Sequence, residues 1–313
     1  MTPPLVFEPL CMERIWGGRR LETLLGKRLQ PGVRIGESWE IVDREDAQSV
    51  VHEGLLRGLT LHELWTRQRE TIFGPGLADT PRFPLLFKIL DAQDRLSVQV
   101  HPPAAVAARL GGEPKTELWF ILDALLDSDL YAGLKRGVTR ADFEAALHEG
   151  TVAEKIHSFP IKAGDAMFIP SGRIHAIGTG NLIVEVQQNS DTTYRVFDWN
   201  RLGLDGEPRK LHVRQSLESI NFEDPEPQIA TPVGDVIAEC EFFRVEKWTL
   251  DQPRTSDGKG FAVFAVIEGS VRCGGREFPR GAFFLLPANA ADREIQPVAA
   301  GARVLRTTVP GQG

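Results

Sequence analysis

Cysteine is scarce in this chain: Cys11, Cys240 and Cys273 are the only three among 313 residues. They are far apart, odd in number and show no C-x-x-C spacing, which excludes a zinc site built on cysteine and suits a reducing compartment. No apolar run approaches the ~20 residues of a bilayer-spanning helix, so no membrane partner is expected. The amino terminus, MTPPLVFEPL, lacks the basic start and long apolar core of a signal peptide, and a cytoplasmic location is the expectation. An excess of positive charge is missing as well. With 36 Lys and Arg against 43 Asp and Glu, the formal charge of −7 argues against nucleic acid, whose binders present a broad basic surface. A small anionic ligand held by a few local cations stays compatible with that charge.

What is present is an alternation of short strands with Gly and Pro. SWEIVD, SVVHEG, LLFKIL, LSVQVH, TELWFIL, AMFIPS, LIVEVQ and YRVFDW each read as a strand. Helical patterns are few. One opens at Thr60, where TLHELWTRQRETIF sets a T-x-x-E capping box ahead of Leu61, Leu64 and Trp65. A second runs from Thr139 to Gly150, a C-terminal glycine, and TVAEKIHSF follows with its own T-x-x-E start. Residues 221–235, NFEDPEPQIATPVGD, are acidic, proline-rich and aperiodic, and read as a linker. Strand patterns resume behind it with FFRVEKWTL, FAVFAVIEG, SVRCGG and AFFLLPA. Many short strands with regular turns predict a mainly β fold of barrels or sandwiches.

Gly164 to His175, GDAMFIPSGRIH, fits G-x5-P-x-G-x2-H: a strand, a tight turn at Pro170 and Gly172, and a histidine opening the next strand. This resembles the second motif of the cupin superfamily, small jelly-roll barrels with a metal in the mouth. The skeleton returns at Gly281 to Asp292, GAFFLLPANAAD, with Asn289 at the second turn position and Asp292 in place of the histidine. Two cupin-type jelly-roll barrels with a few short helices are therefore expected. Residues 1–225 form the metal-bearing one and 236–313 a metal-free one.

A cupin metal site needs partners for His175. In LSVQVHPP, Val98 and Val100 point to one side of a strand and Gln99 and His101 to the other. Glu117 shares a strand face with Trp119 and Ile121. Two imidazoles and a carboxylate leave coordination positions open for substrate, the usual arrangement of catalytic zinc or non-haem iron. Taken singly, Glu117 could pair with Lys115, His101 could hydrogen-bond to backbone, and Gln99 could sit behind the ligands. His52, His62, His148, His157 and His212 read as structural or surface residues. Lys88 in PLLFKIL, Glu185 in LIVEVQ and Arg195 in TTYRVFDW interrupt apolar strands in one sense, as the lining of an anion-accepting pocket would.

Four blocks in order, LLFKILDAQDRLSVQVHPP, KTELWFIL, IPSGRIHAIGTG and VEVQQNSDTTYRVFDWNR, resemble the type I mannose-6-phosphate isomerase family. ERIWGG and GESWEI near the amino terminus are similar to it too. The resemblance implies a zinc-dependent aldose-ketose isomerase acting on a small phosphorylated sugar through an enediol, as a monomer or homodimer. It implies one zinc ion per chain on Gln99, His101, Glu117 and His175, with Arg195 catalytic. It also implies active-site lysines at Lys88 and Lys115, a pocket glutamate at Glu185 as candidate general base, and Ser97 near the phosphate end. Longer members insert a helical domain between the glutamate and second histidine ligands. Here the interval Leu118–Ile174 holds only the two short helical patterns, as in the short bacterial form. Rival readings are an isomerase for another sugar phosphate, an iron-dependent cupin oxygenase and a non-enzymatic sugar-binding cupin.

Overall fold

The strands follow in chain order as β1 (Leu10–Gly18), β2 (Ile35–Ile41), the short hairpin β3 (Asp43–Arg44) and β4 (Ala47–Gln48), β5 (Leu85–Ala92), β6 (Val98–Val100), β7 (Glu117–Ala124), β8 (Asp129–Leu134), β9 (Ile156–Pro160), β10 (Ala166–Ile169), β11 (His175–Ile177), β12 (Asn181–Gln188) and β13 (Tyr194–Phe197). Nine further strands lie between Val236 and Thr308 in this computed structural model, which describes residues 1–311. The chain is mainly β, as its pattern predicts. No described helix is long and apolar enough to cross a membrane.

Packing divides the chain into two compact units. One combines Cys11–Ser38 with Phe87–Ala230, and the other combines Met1–Leu10, Trp39–Leu86 and the chain from Thr231 onward. One boundary falls inside the acidic stretch 221–235, but the remaining three lie within the first 87 residues, which chain order does not suggest. The cause is long-range pairing within the second of these units. Leu5 exchanges both backbone hydrogen bonds with Leu285, at 2.8 and 2.9 Å. The rings of Trp65, Phe73, Phe83 and Phe261 interlock with centroids 5.0–5.6 Å apart. Such edge-to-face aromatic packing adds about 0.5–1.5 kcal/mol per pair beyond the area buried.

The unit holding the histidine motif is built on two sheets. A six-stranded sheet has the order β1-β2-β5-β12-β7-β10, and a five-stranded sheet has the order β13-β6-β11-β8-β9. Trp119, Ile121, Leu90, Ile183 and Met167 of the first sheet meet Leu130, Ala132 and Ile177 of the second in one buried cluster. The other face of the five-stranded sheet supports a second cluster, where Val98, Val100, Ala176, Tyr194 and Val196 pack with Phe143 of the helix Arg140–Glu149. Because strand side chains alternate, burying Val98 and Val100 outward sends Gln99 and His101 inward. The same alternation puts Glu117 on the face of Trp119, and Glu185 on the face of Ile183. At β13 it fails: the register shifts between Arg195 and Phe197, and Phe197 packs against the outer cluster instead of sharing the face of Arg195.

Both long helical patterns form, but the first is broken at Gln68 into Leu61–Arg67 and Arg69–Phe73, and the box at Thr139 uses an aspartate that the T-x-x-E pattern does not mark. Thr60 and Glu63 close a capping box, as do Thr139 and Asp142, and Gly150 ends its helix at φ +74°. The second T-x-x-E start does not cap: Thr151 makes no side-chain cap, Val152–Lys155 is a single 3-10 turn, and the chain leaves it as strand β9. Residues 221–230 carry no regular strand or helix but are not a free linker. Arg173 grips Asp224 through two bonds of 2.6 and 2.8 Å, and Ala230 N–H donates to the Ala166 carbonyl at 2.8 Å.

In the other unit, a five-stranded and a four-stranded sheet enclose Trp248, Phe264, Phe278 and Phe284. The strands Ala262–Glu268 and Phe283–Leu286 follow the patterns that predict them. Asp292 is exposed and accepts from the backbone N–H of Gly274 and Glu294, at 3.2 and 2.9 Å.

Candidate metal centre and active site

Every metal, catalytic and substrate-binding candidate named from the sequence lies in the unit formed by 11–38 and 87–230. His101 at the end of β6, Glu117 at the start of β7 and His175 at the start of β11 converge, each 1% exposed or less. One ligand atom from each lies within 4.8 Å of the other two. Register explains the convergence: His175 pairs directly with Gln99, and β12 carries the chain back so that Gln187 pairs with Glu117. The turn before His175 is fixed by Gly172, whose φ of +95° a side chain rarely adopts. Its N–H donates to the His101 carbonyl at 2.8 Å, so the motif turn is stitched to the other histidine.

Backbone carbonyls set both imidazole tautomers. His101 Nδ1 lies 2.7 Å from the Thr192 carbonyl and His175 Nδ1 lies 2.9 Å from that of Arg173. A carbonyl only accepts, so each Nδ1 carries the proton and each Nε2 keeps its lone pair for the centre. Burial pushes the His175 pKa down to about 3, and burial followed by the Lys115 charge lowers that of His101, so both rings stay neutral. Burial alone would raise the Glu117 carboxyl, but Lys115 and His101 hold it well below the usual range, so it is an anion. His101 Nε2 and Glu117 Oε2 have no hydrogen-bond partner among the described residues. Leaving such buried groups unsatisfied costs about 1–3 kcal/mol each. Two neutral imidazoles, an anionic carboxylate and orphaned inward atoms fit a divalent cation.

Gln99 stands beside this set with its amide nitrogen 3.2 Å from His175 Nε2, and Ser97 Oγ donates to its oxygen at 3.4 Å. A half-turn of the amide presents Oε1 to the same place, and which end faces in is a matter of the hydrogen bonds around it.

Two buried ion pairs adjoin the histidines. Lys115 Nζ pairs with Glu117 Oε1, and Lys88 Nζ lies 3.2 Å from Glu185 Oε1. Trp119 Nε1 donates to the other Glu185 oxygen at 3.0 Å. Burial tends to lower the Lys115 pKa, but the carboxylates of Glu117 and Glu185 raise it above its ordinary value, so this lysine is a fixed cation. Burial, with Glu117 adding to it, raises the Glu185 carboxyl. Arg195 is half-buried and pairs in register with Gln99. Its Nε donates to Ser97 Oγ at 3.3 Å and Nη1 to the Lys210 carbonyl at 3.0 Å.

The cleft above Lys88, Lys115 and Glu185 is also lined by Glu37, Asp191 and Thr193. All three fall inside the blocks that carry the family resemblance, GESWEI and VEVQQNSDTTYRVFDWNR, but none is named as a site residue there. Asp191 and Thr193 flank Thr192 in a polar run, SDTTY, that looks like an ordinary turn. Its sequence signals are its place in that block and its position directly before Arg195. His212, assigned above to the structural residues, accepts from the Arg195 backbone N–H at 3.3 Å.

Comparison with known proteins puts this geometry in context. The family described as phosphomannose isomerase type I, catalytic domain, matches residues 6–117. The chain is 38% identical over 309 residues to the mannose-6-phosphate isomerase ManA of Bacillus subtilis, covering 94% of this chain and 96% of that one. It is 38% identical over 259 residues to the mannose-6-phosphate isomerase of Streptococcus mutans, 80% of each chain. Among solved structures, the mannose 6-phosphate isomerase from Bacillus subtilis superposes with a TM-score of 0.87 at 30% identity, over 98% of this chain and 100% of that one.

Proposed function

The chain belongs to the type I phosphomannose isomerase family, and from that membership we propose that it interconverts mannose 6-phosphate and fructose 6-phosphate with one zinc ion per chain. The observation that carries the zinc is the His101, Glu117 and His175 set, with both Nδ1 atoms tied to carbonyls and both Nε2 atoms turned to one point. Gln99 completes the set through its amide oxygen. Zinc held there supplies Lewis acidity toward the sugar oxygens.

The chain's own residues divide the remaining work. Moving a proton between C2 and C1 requires a base that reaches carbon and a site that tolerates enediolate charge. Glu185 is our candidate base, since a carboxyl raised by burial is more basic than an exposed one, and Trp119 and Lys88 fix its direction. Lys115, held protonated, donates hydrogen bonds to sugar oxygens and does not serve as a base. Arg195 offers a permanent planar charge to the developing enediolate. Ser97 and the Arg195 side of the cleft receive the phosphate end. Arg201 and Arg209 stand close enough there that the Arg209 charge, after burial, lowers the Arg195 pKa.

A coupled assay following fructose 6-phosphate, with and without chelator, tests the reading. Activity lost on chelation and restored by zinc is expected. Full turnover in metal-free protein sinks the metal role, and iron as the sole restoring metal replaces zinc while leaving the isomerase reading intact.

A further inference from the structure

Arg195 is held by a strap. Behind β13 the chain makes an excursion through residues 198–212 and returns to the same strand, where His212 N–H donates to the Arg195 carbonyl at 2.7 Å. At its root Asp198, 6% exposed, accepts from two guanidinium groups. Arg201 reaches it through Nε and Nη2 at 3.1 and 3.0 Å, and Arg209 through the same atoms at 2.7 and 2.6 Å. Four charge-assisted bonds on one buried carboxylate make a stiff junction. The two residues after it, Trp199 and Asn200, hold φ of +57° and +55°. Non-glycine residues are strained there and persist only where their surroundings enforce the turn.

The strap supplies one anchor of the Arg195 guanidinium and is bonded to the segment that supplies the other. The carbonyl that takes Nη1 belongs to Lys210, next in the chain to Arg209. The hydroxyl that takes Nε belongs to Ser97, in a segment tied to the strap twice: Trp199 Nε1 donates to the Leu96 carbonyl at 2.7 Å, and Arg201 Nη1 to Asp94 at 3.3 Å. These two lines of support meet at Asp198. We propose that Asp198 is a positioning residue for Arg195: by gripping Arg201 and Arg209 it fixes the Ser97 and Lys210 anchors, and so the direction of the guanidinium. The proposal rests on the catalytic reading of Arg195 and adds the residue through which its geometry is set. Asn at this position keeps the shape, but it has one acceptor oxygen where four N–H groups share two, and it removes the carboxylate that Arg209 pairs with, leaving Arg201 only its exposed pair with Asp94.

The test is steady-state kinetics on full-length, zinc-loaded enzyme carrying Asp198→Asn, alone and combined with Arg195→Lys. Because ~1 Å of misplacement costs up to about 10²-fold, kcat should fall about 10- to 100-fold, with KM and zinc content little changed. In the Arg195→Lys background the same substitution should change kcat less than about 3-fold, since the group it positions is already altered. Arg209→Lys, which keeps the charge and loses the fork, should show a smaller loss of the same kind and serves if Asp198→Asn does not fold. An unchanged kcat with a lowered Tm, an equal loss in both backgrounds, or a rise in KM alone would each overturn the positioning role. If Arg195→Lys by itself leaves kcat intact, the catalytic reading falls and the proposal with it. A loss in Arg195→Lys without one in Asp198→Asn removes the proposal alone.

Discussion

At the scale of single residues, charge is decided by burial and by one neighbour at a time. Arg195 is the clearest case, a permanent cation whose help to an enediolate grows as charge develops. Arg195→Ala should lower kcat by at least about 10²-fold with a smaller change in KM and near-normal zinc content, and Arg195→Lys should recover part of the loss. A rise in KM with kcat intact would instead make it a ground-state phosphate grip. His175 makes a pH prediction with a definite sign. Burial depresses its pKa from the ordinary 6.5 to about 3, so below pH 6.5 the unfolded chain takes up a proton that the fold refuses. Stability is then fully present above 6.5 and is lost as pH falls toward 3. In chelated protein, Tm measured across that window should drop more steeply for the native chain than for His175→Gln. The residues behind this chemistry were legible where a charge interrupts an apolar strand, as at Lys88 and Glu185. Thr192, Asp191 and Asp198 carry no such contrast with their neighbours.

At the scale of elements, strands deliver the chemistry and turns hold it in register. The alternation that buries Val98 and Val100 aims His101, and the glycine turn before β11 aims His175. Gly172 therefore acts on both histidines. At φ +95°, with an added Cβ only 3.1 Å from Pro103 Cγ, Gly172→Ala should cost about 1–2 kcal/mol of stability. It should also weaken zinc binding, because the N–H that holds the His101 carbonyl must move. Chelator-competition titration reads the second effect, and an unchanged zinc affinity would confine Gly172 to a folding role. The cap at Thr60 was readable because a capping box spans four residues. Thr151 shows the limit of that rule: its T-x-x-E spacing is correct, but strand pairing along β9 claims the chain within one turn.

At the scale of the whole molecule, the metal should be a late addition to a fold that stands without it, since apolar clusters fill the space between the sheets. His101→Ala should lose zinc and activity while keeping its β circular-dichroism spectrum, with a modest drop in Tm from the lost binding free energy. Zinc should measure one per chain; a second ion released by Asp292→Ala would give the carboxy-terminal motif a metal role that its exposed aspartate does not suggest. By itself the sequence determined what is encoded within a few residues: strand periods, the capping box at Thr60, the G-x5-P-x-G-x2-H turn, and the ordered blocks that mark the family. These are local because backbone sterics and side-chain alternation act over one turn or one pleat. Only the tertiary structure decided which carbonyl holds each imidazole, how the first 86 residues are shared between two units, and why Asp198 lies behind Arg195. Each of those depends on pairings between distant strands, and no local period records which distant partner a strand will meet.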